Sequence, residues 1–124
     1  MEKVNLAEAF ASFNEQWAPK LVGELNGQAV KLAKVEGEFD WHYHDDADEL
    51  FLVTAGEVQI ELRDEPDVTL QEGEFAIVPS GVEHRPTADS EAEIMLFEPI
   101  ETRNTGNVET ERTRTELEQI EDSL

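Results

Sequence analysis

A chain of 124 residues with 39% hydrophobic side chains predicts one domain with a modest core and leaves little room for a second. Thirty acidic residues against nine basic ones give a formal net charge of −21, which excludes nucleic acid and anionic membrane as partners, because both need a basic footprint. The absence of cysteine excludes disulfides and thiolate metal sites.

The first predicted element is a short helix over residues 5–13. Asn5 can cap it with Glu8 three positions on, and Leu6, Ala9, Phe10 and Phe13 recur at helical spacing. Beyond Pro19 the pattern changes to strands. Residues 20–25 and 28–35 flank Asn26 and Gly27, a strong hairpin signal. Residues 39–44 form the next predicted strand, followed by the acidic loop 45–48 and a strand over 49–54 that ends at Gly56. Val58, Ile60 and Leu62 then alternate with polar residues, as a strand with one buried face requires. Residues 64–67 make a turn. Short strands are predicted over 68–70, 75–78, 83–86 and 94–97, punctuated by Gly73, Pro79 and Gly81. From Thr102 the chain is polar, and Leu117 and Ile120 could support one helical turn or leave the tail disordered.

Short strands separated by frequent turn residues predict an all-β barrel or sandwich. The expected division is a helical extension over 1–18, a barrel over 19–100 and a polar tail over 101–124. The N-terminus lacks a basic region followed by an apolar stretch, and no apolar run approaches the roughly 20 residues that span a bilayer. A soluble, cytoplasmic protein is expected. Acidic residues spread from Glu2 to Asp122, with only four lysines, match adaptation to a cytoplasm at molar salt, where the Debye length shrinks to roughly 3 Å. Low salt should then destabilise the fold.

All three histidines bear on chemistry. His42 and His44 lie two apart in a predicted strand, and period-two alternation points both imidazoles to one face. Glu49 opens the next strand, and His84 opens a later one that can arrive from across the barrel. Imidazoles with one carboxylate suit Fe, Mn, Co, Ni, Cu or Zn rather than Mg or Ca. Four such ligands on an octahedral ion leave two positions open, as Lewis-acid or oxygen chemistry requires.

Gly37, His42, His44, Glu49 and Gly56 read as G-x4-H-x-H-x4-E-x6-G, and Gly73, Pro79, Gly81 and His84 as G-x5-P-x-G-x2-H. These resemble the two motifs of the cupin superfamily, over roughly residues 30–98. The spacing from Gly37 to His42 is one residue shorter than the family pattern, and its final Asn is Ala88 here. The resemblance implies a cupin double-stranded β-helix, a jelly-roll barrel, with one divalent transition metal inside, ligated by His42, His44, Glu49 and His84. It also implies a small-molecule ligand and dioxygenase, isomerase or lyase chemistry. The alternative is a metal-dependent binding or structural protein without turnover.

Trp41 and Tyr43 should face away from the histidines and pack between sheets. Phe39, Phe51, Val53 and one face of the strand carrying Met95 and Phe97 are candidates for the pocket. Lys31, Lys34 and Arg85 are the available phosphate partners, although alternation turns Arg85 away from the metal. Glu57, Glu61 and Glu98 are strand carboxylates whose facing is open. Asp45, Asp46 and Asp48 form either a second cation site or a solvated loop. Leu50 and Leu52, with Trp41 and Tyr43, are apolar residues on an outward face, and their cover predicts a homodimer.

Overall fold

The computed structural model describes residues 1–120; the final part of the expected tail, residues 121–124, lies outside them. A six-residue helix, α1 (Leu6–Ala11), precedes seven strands: β1 (Lys20–Leu25), β2 (Gln28–Glu38), β3 (Glu49–Ala55), β4 (Glu57–Leu62), β5 (Val68–Gln71), β6 (Phe75–Val78) and β7 (His84–Pro99). Asn5 caps α1 as expected, its side chain accepting from the Glu8 amide at 3.0 Å. The helix ends two residues early, because Ser12 turns back to bond the Ala9 carbonyl. β1 and β2 form the expected hairpin, with Asn26 and Gly27 both at positive φ, the conformation a type I′ turn demands.

β7 organises the barrel. Along one edge it pairs with β2; along the other it pairs first with β4 and then with β3, while β6 extends β3 and β5 extends β4. Two separate short strands were expected here. Instead, Asp89, Ser90 and Glu91 bulge into solvent where β7 changes partners, and the strand continues on either side. The pairings between these strands are antiparallel, giving an all-β barrel with a short N-terminal helix. Its interior holds Val35, Phe51, Val53, Val58, Ile60, Ile94 and Leu96. The helix lays Ala9 and Phe10 on Leu32, outside the barrel, with Met95 beneath it.

Residues 39–44 do not form the expected strand. Only His42 bridges, antiparallel to His84. His84 therefore adjoins His42 directly and does not arrive from across the barrel. The alternation nevertheless holds for the histidines: His42 and His44 are buried, whereas Trp41 and Tyr43 are half-buried on the other side; Phe39 is buried as well, out of phase with them. Trp41 is covered by the guanidinium groups of Arg63 and Arg85, 4.0 and 5.1 Å from its ring, and not by a second sheet. Beyond β7 the chain makes turns without a helix, then returns to bridge Leu21 through Gln119. Among the described residues, no helix is long and apolar enough to cross a membrane.

Candidate metal centre

The bridge between His42 and His84 seats two imidazoles side by side, with ring centroids 4.3 Å apart. His44 follows two residues later, and Glu49 enters from the first position of β3. One ligand atom from each of these four residues lies within 4.8 Å of the others. All four side chains are buried. His44 Nε2 and His84 Nε2 each lie 3.4 Å from Glu49 Oε1.

Backbone carbonyls set the imidazole orientations. His42 Nδ1 lies 2.8 Å from the Asp40 carbonyl, and His84 Nδ1 lies 2.9 Å from that of Val82. A carbonyl only accepts, so each Nδ1 carries the proton and each Nε2 keeps a free lone pair. His44 Nε2, His84 Nε2 and Glu49 Oε1 have no hydrogen-bond partner among the described residues. Leaving such buried groups unpaired costs about 1–3 kcal/mol each. A divalent transition ion accepts lone pairs from all of them, and the donor set of imidazoles with one carboxylate suits it.

The electrostatics agree with a cation-binding role. Burial, followed by the charge of His84, pulls the His42 pKa down to about 4, so its imidazole stays neutral and able to ligate. Burial disfavours the charged form of Glu49, yet the adjacent Glu98, His44 and His84 side chains outweigh it and hold the carboxyl well below the usual range. Glu98 shows the opposite displacement. Burial and the neighbouring Glu49 charge raise it well above a normal carboxyl, against the pull of Lys31. Of these two acids Glu98 is the more readily protonated and Glu49 the more readily ionised.

A cavity of about 40 Å³ opens beside His42 and Glu49, walled by Trp17, Phe39, Phe51, Ile94 and Leu96. Phe39 and Phe51 were expected there. Val53 is buried in the core instead, and the inward residues of β7 are Ile94 and Leu96 rather than Met95 and Phe97. Trp17 went unnoticed in the sequence. It stacks on Phe39 at 4.8 Å and holds a strained φ of 57°, its indole N–H donating to the Glu36 carbonyl at 2.8 Å. On another side, His44 borders a polar cavity of about 210 Å³ lined by Asp45, Asp46, Glu101, Arg103 and Asn107.

The remaining candidates disperse. Arg85 faces outward and pairs with Glu61 and Glu38, which also removes Glu61 from the interior. Lys34 donates to the Phe13 carbonyl, and Lys31 is buried against Glu98, so none of these cations lines the apolar cavity. Glu57 is exposed. Asp45, Asp46 and Asp48 are exposed, with Asp48 accepting from the Ser80 amide, and they form no second cluster of ligand atoms among the described residues. Glu98 is the one strand carboxylate of the three that faces inward. The phase of β7 carried that signal, since Glu98 falls in register with Ile94 and Leu96.

Residues 29–100 match the cupin domain family Cupin_2. The chain is 37% identical over 81 residues to the uncharacterized protein YdbB of Bacillus subtilis, covering 65% of this chain and 72% of that protein. A cupin-2 domain containing protein from Shewanella frigidimarina superposes with a TM-score of 0.75 at 48% identity, over 77% of this chain and 93% of its own. In fold alone, the chain also resembles the hydroquinone 1,2-dioxygenase PnpCD, solved with Cd2+ and 4-hydroxybenzonitrile (TM-score 0.62, 20% identity, 77% of this chain and 71% of that one).

Proposed function

The chain belongs to the cupin family, and on that premise we propose that it holds one divalent transition metal through His42, His44, Glu49 and His84 and acts on a small molecule beside it. The observation that carries this reading is the convergence of buried, unpartnered ligand atoms from His44, Glu49 and His84 next to His42. When bound, such an ion supplies Lewis acidity or an open position for oxygen, the basis of isomerase, lyase or dioxygenase chemistry. The chain's own residues do the rest. Asp40 and Val82 carbonyls orient two imidazoles, Glu49 contributes the negative charge, and Glu98, paired with Lys31, stands behind it. Trp17, Phe39 and Phe51 exclude water from the approach. Among the described residues no lysine or arginine lines the cavity, and Arg112, stacked over Phe39 and Trp17, is paired with Asp40, so a neutral, largely apolar substrate fits better than a sugar phosphate.

The cavity of about 40 Å³ is far below the roughly 150 Å³ that accommodates benzene, so only a few substrate atoms fit beside the ligands. That smallness favours, as a second reading, an ion that stabilises the barrel without turnover.

The deciding experiment measures metal content in untagged protein purified without chelator, beside a His42→Ala/His84→Ala double variant. About one equivalent in the parent and none in the variant is expected. No metal in either, even after reconstitution, overturns the proposal. Metal without turnover of any oxygen-, isomerase- or lyase-type substrate assigns the chain to the second reading.

We propose further that the protein is a cytoplasmic, salt-adapted homodimer. Phe75 and Ile77 of β6 are 59% and 56% exposed and stand in register with Leu52 and Leu50 of β3, forming one apolar outer face that a second copy would cover.

A further inference from the structure

The segment that carries His42 and His44 is paired on one edge only by the barrel. Phe39 N–H donates to the Pro86 carbonyl, His42 and His84 exchange two hydrogen bonds of 3.0 and 2.9 Å, and the Gly81 N–H donates to the His44 carbonyl. Its other edge meets no strand. It meets residues 104–113, which lie beyond the part of the chain that matches the family.

That contact centres on Tyr43, the residue between the two histidines. The Tyr43 N–H donates to Asn107 Oδ1 at 2.8 Å, and the Asn107 N–H donates to the Tyr43 carbonyl at 3.0 Å. One asparagine thus satisfies both polar groups of the residue that separates the imidazoles. Directly beneath, Gly106 at φ +57° lies so close that a Cβ there would run into the Tyr43 carbonyl and press on the His42 ring at 3.0 Å. A third hold acts upstream: Thr110 Oγ1 donates to the Asp40 carboxylate at 2.9 Å, and Asp40 is the residue whose carbonyl orients His42 Nδ1.

The segment is braced to bear this load. Thr105 is fully buried and donates to the Val108 carbonyl at 2.7 Å, and Arg103 Nε donates to the Gly106 carbonyl at 2.9 Å. Asn104 joins the Arg112 carbonyl to the Arg114 amide, while also lining the apolar cavity. These are side-chain-to-backbone contacts that fix loop shape without a strand ladder.

We propose that Asn107 and Gly106 are positioning residues of the metal centre, clamping the peptide between His42 and His44 so that both imidazoles meet Glu49 and His84. The inference rests on the metal-binding reading. Outer contacts of this type change metal affinity by about 10–100-fold when removed.

The test uses the full chain, freed of metal and titrated with Co2+ against a competing chelator, with the visible spectrum recorded beside the melting curve of the metal-free protein. Asn107→Ala should weaken Co2+ binding about 10–100-fold and shift the visible bands. Its metal-free melting temperature should fall by no more than about 5 °C, the effect of one lost hydrogen bond. Asn107→Asp, which keeps an oxygen for the Tyr43 N–H, should restore the parent spectrum. Gly106→Ala should behave as Asn107→Ala or worse. Parent-like affinity and spectrum in Asn107→Ala and Gly106→Ala overturn the inference alone. So does a variant that melts much lower yet binds Co2+ normally once folded, since that assigns the clamp to stability only. A parent that binds no Co2+ overturns the metal reading, and this inference with it.

Discussion

Lys31 Nζ and Glu98 Oε2 lie 2.6 Å apart inside the barrel, both side chains at most 2% exposed. They face inward from β2 and β7, the two longest strands. Glu98 also contacts Glu49, so a buried cation sits one residue behind a proposed ligand.

The two partners should respond unequally to substitution. Glu98→Leu leaves the Lys31 ammonium buried with only the Thr102 carbonyl at 3.2 Å, and a loss of about 3–5 kcal/mol is expected. Lys31→Met leaves a carboxyl already biased toward its protonated form, so about 1–3 kcal/mol is expected. Urea denaturation of the metal-free variants measures both. Equal losses would show that Glu98 is as fully charged as Lys31.

Acid should destabilise the metal-free protein through His42. Its folded pKa of about 4 lies below the ordinary 6.5, so the unfolded chain takes up a proton that the folded chain refuses. Stability is full above pH 6.5 and declines as the pH falls toward 4, by about 3 kcal/mol. Denaturant midpoints across this window check it, with His42→Ala removing much of the slope. A flat profile in the parent would falsify the assignment.

Salt should stabilise the fold. With a net charge of −21, self-repulsion opposes compaction until counterions screen it. Melting temperature should rise by several degrees between about 0.1 M and about 2 M KCl, most steeply at the low end, where the Debye length changes most. Indifference to KCl would remove the basis for salt adaptation.

The apolar face of β3 and β6 predicts assembly. The parent should run in light scattering at twice the 14.0 kDa chain mass, and Ile77→Lys with Phe75→Lys should run as the monomer. Loss of dimer without loss of bound metal is expected, because these side chains point away from the centre. A monomeric parent sinks the prediction.

Much of this molecule could be read before its structure. Asn5 and the Asn26–Gly27 pair announce their elements through local hydrogen bonding and backbone geometry, which need no distant partner. The alternation that aligned His42 with His44 survived even though their segment forms a single bridge, since an extended backbone alternates its side chains with or without a ladder. What stayed hidden depends on long-range contacts. The middle of β7 looks like a loop because Asp89, Ser90 and Glu91 face water at its bulge. Trp17 lies outside any periodic run and reaches the cavity through a strained backbone. Lys31 read as a phosphate partner, although it shares the phase of Ala29, Ala33 and Val35 and is buried against Glu98. Residues 104–113 carry no apolar rhythm, because polar side chains on backbone groups hold them.

The Asn107 clamp also sets a timetable for biosynthesis. His42 and His44 leave the ribosome more than sixty residues ahead of the asparagine that steadies them. At about 5–20 residues per second, the ligand segment waits roughly 3–13 s for its second edge. Glu49 and His84 emerge within that interval, so a metal captured late in it would meet the ligands without the clamp behind them. Stable loading therefore belongs to the finished chain, and the ion acquired is the one available where folding ends.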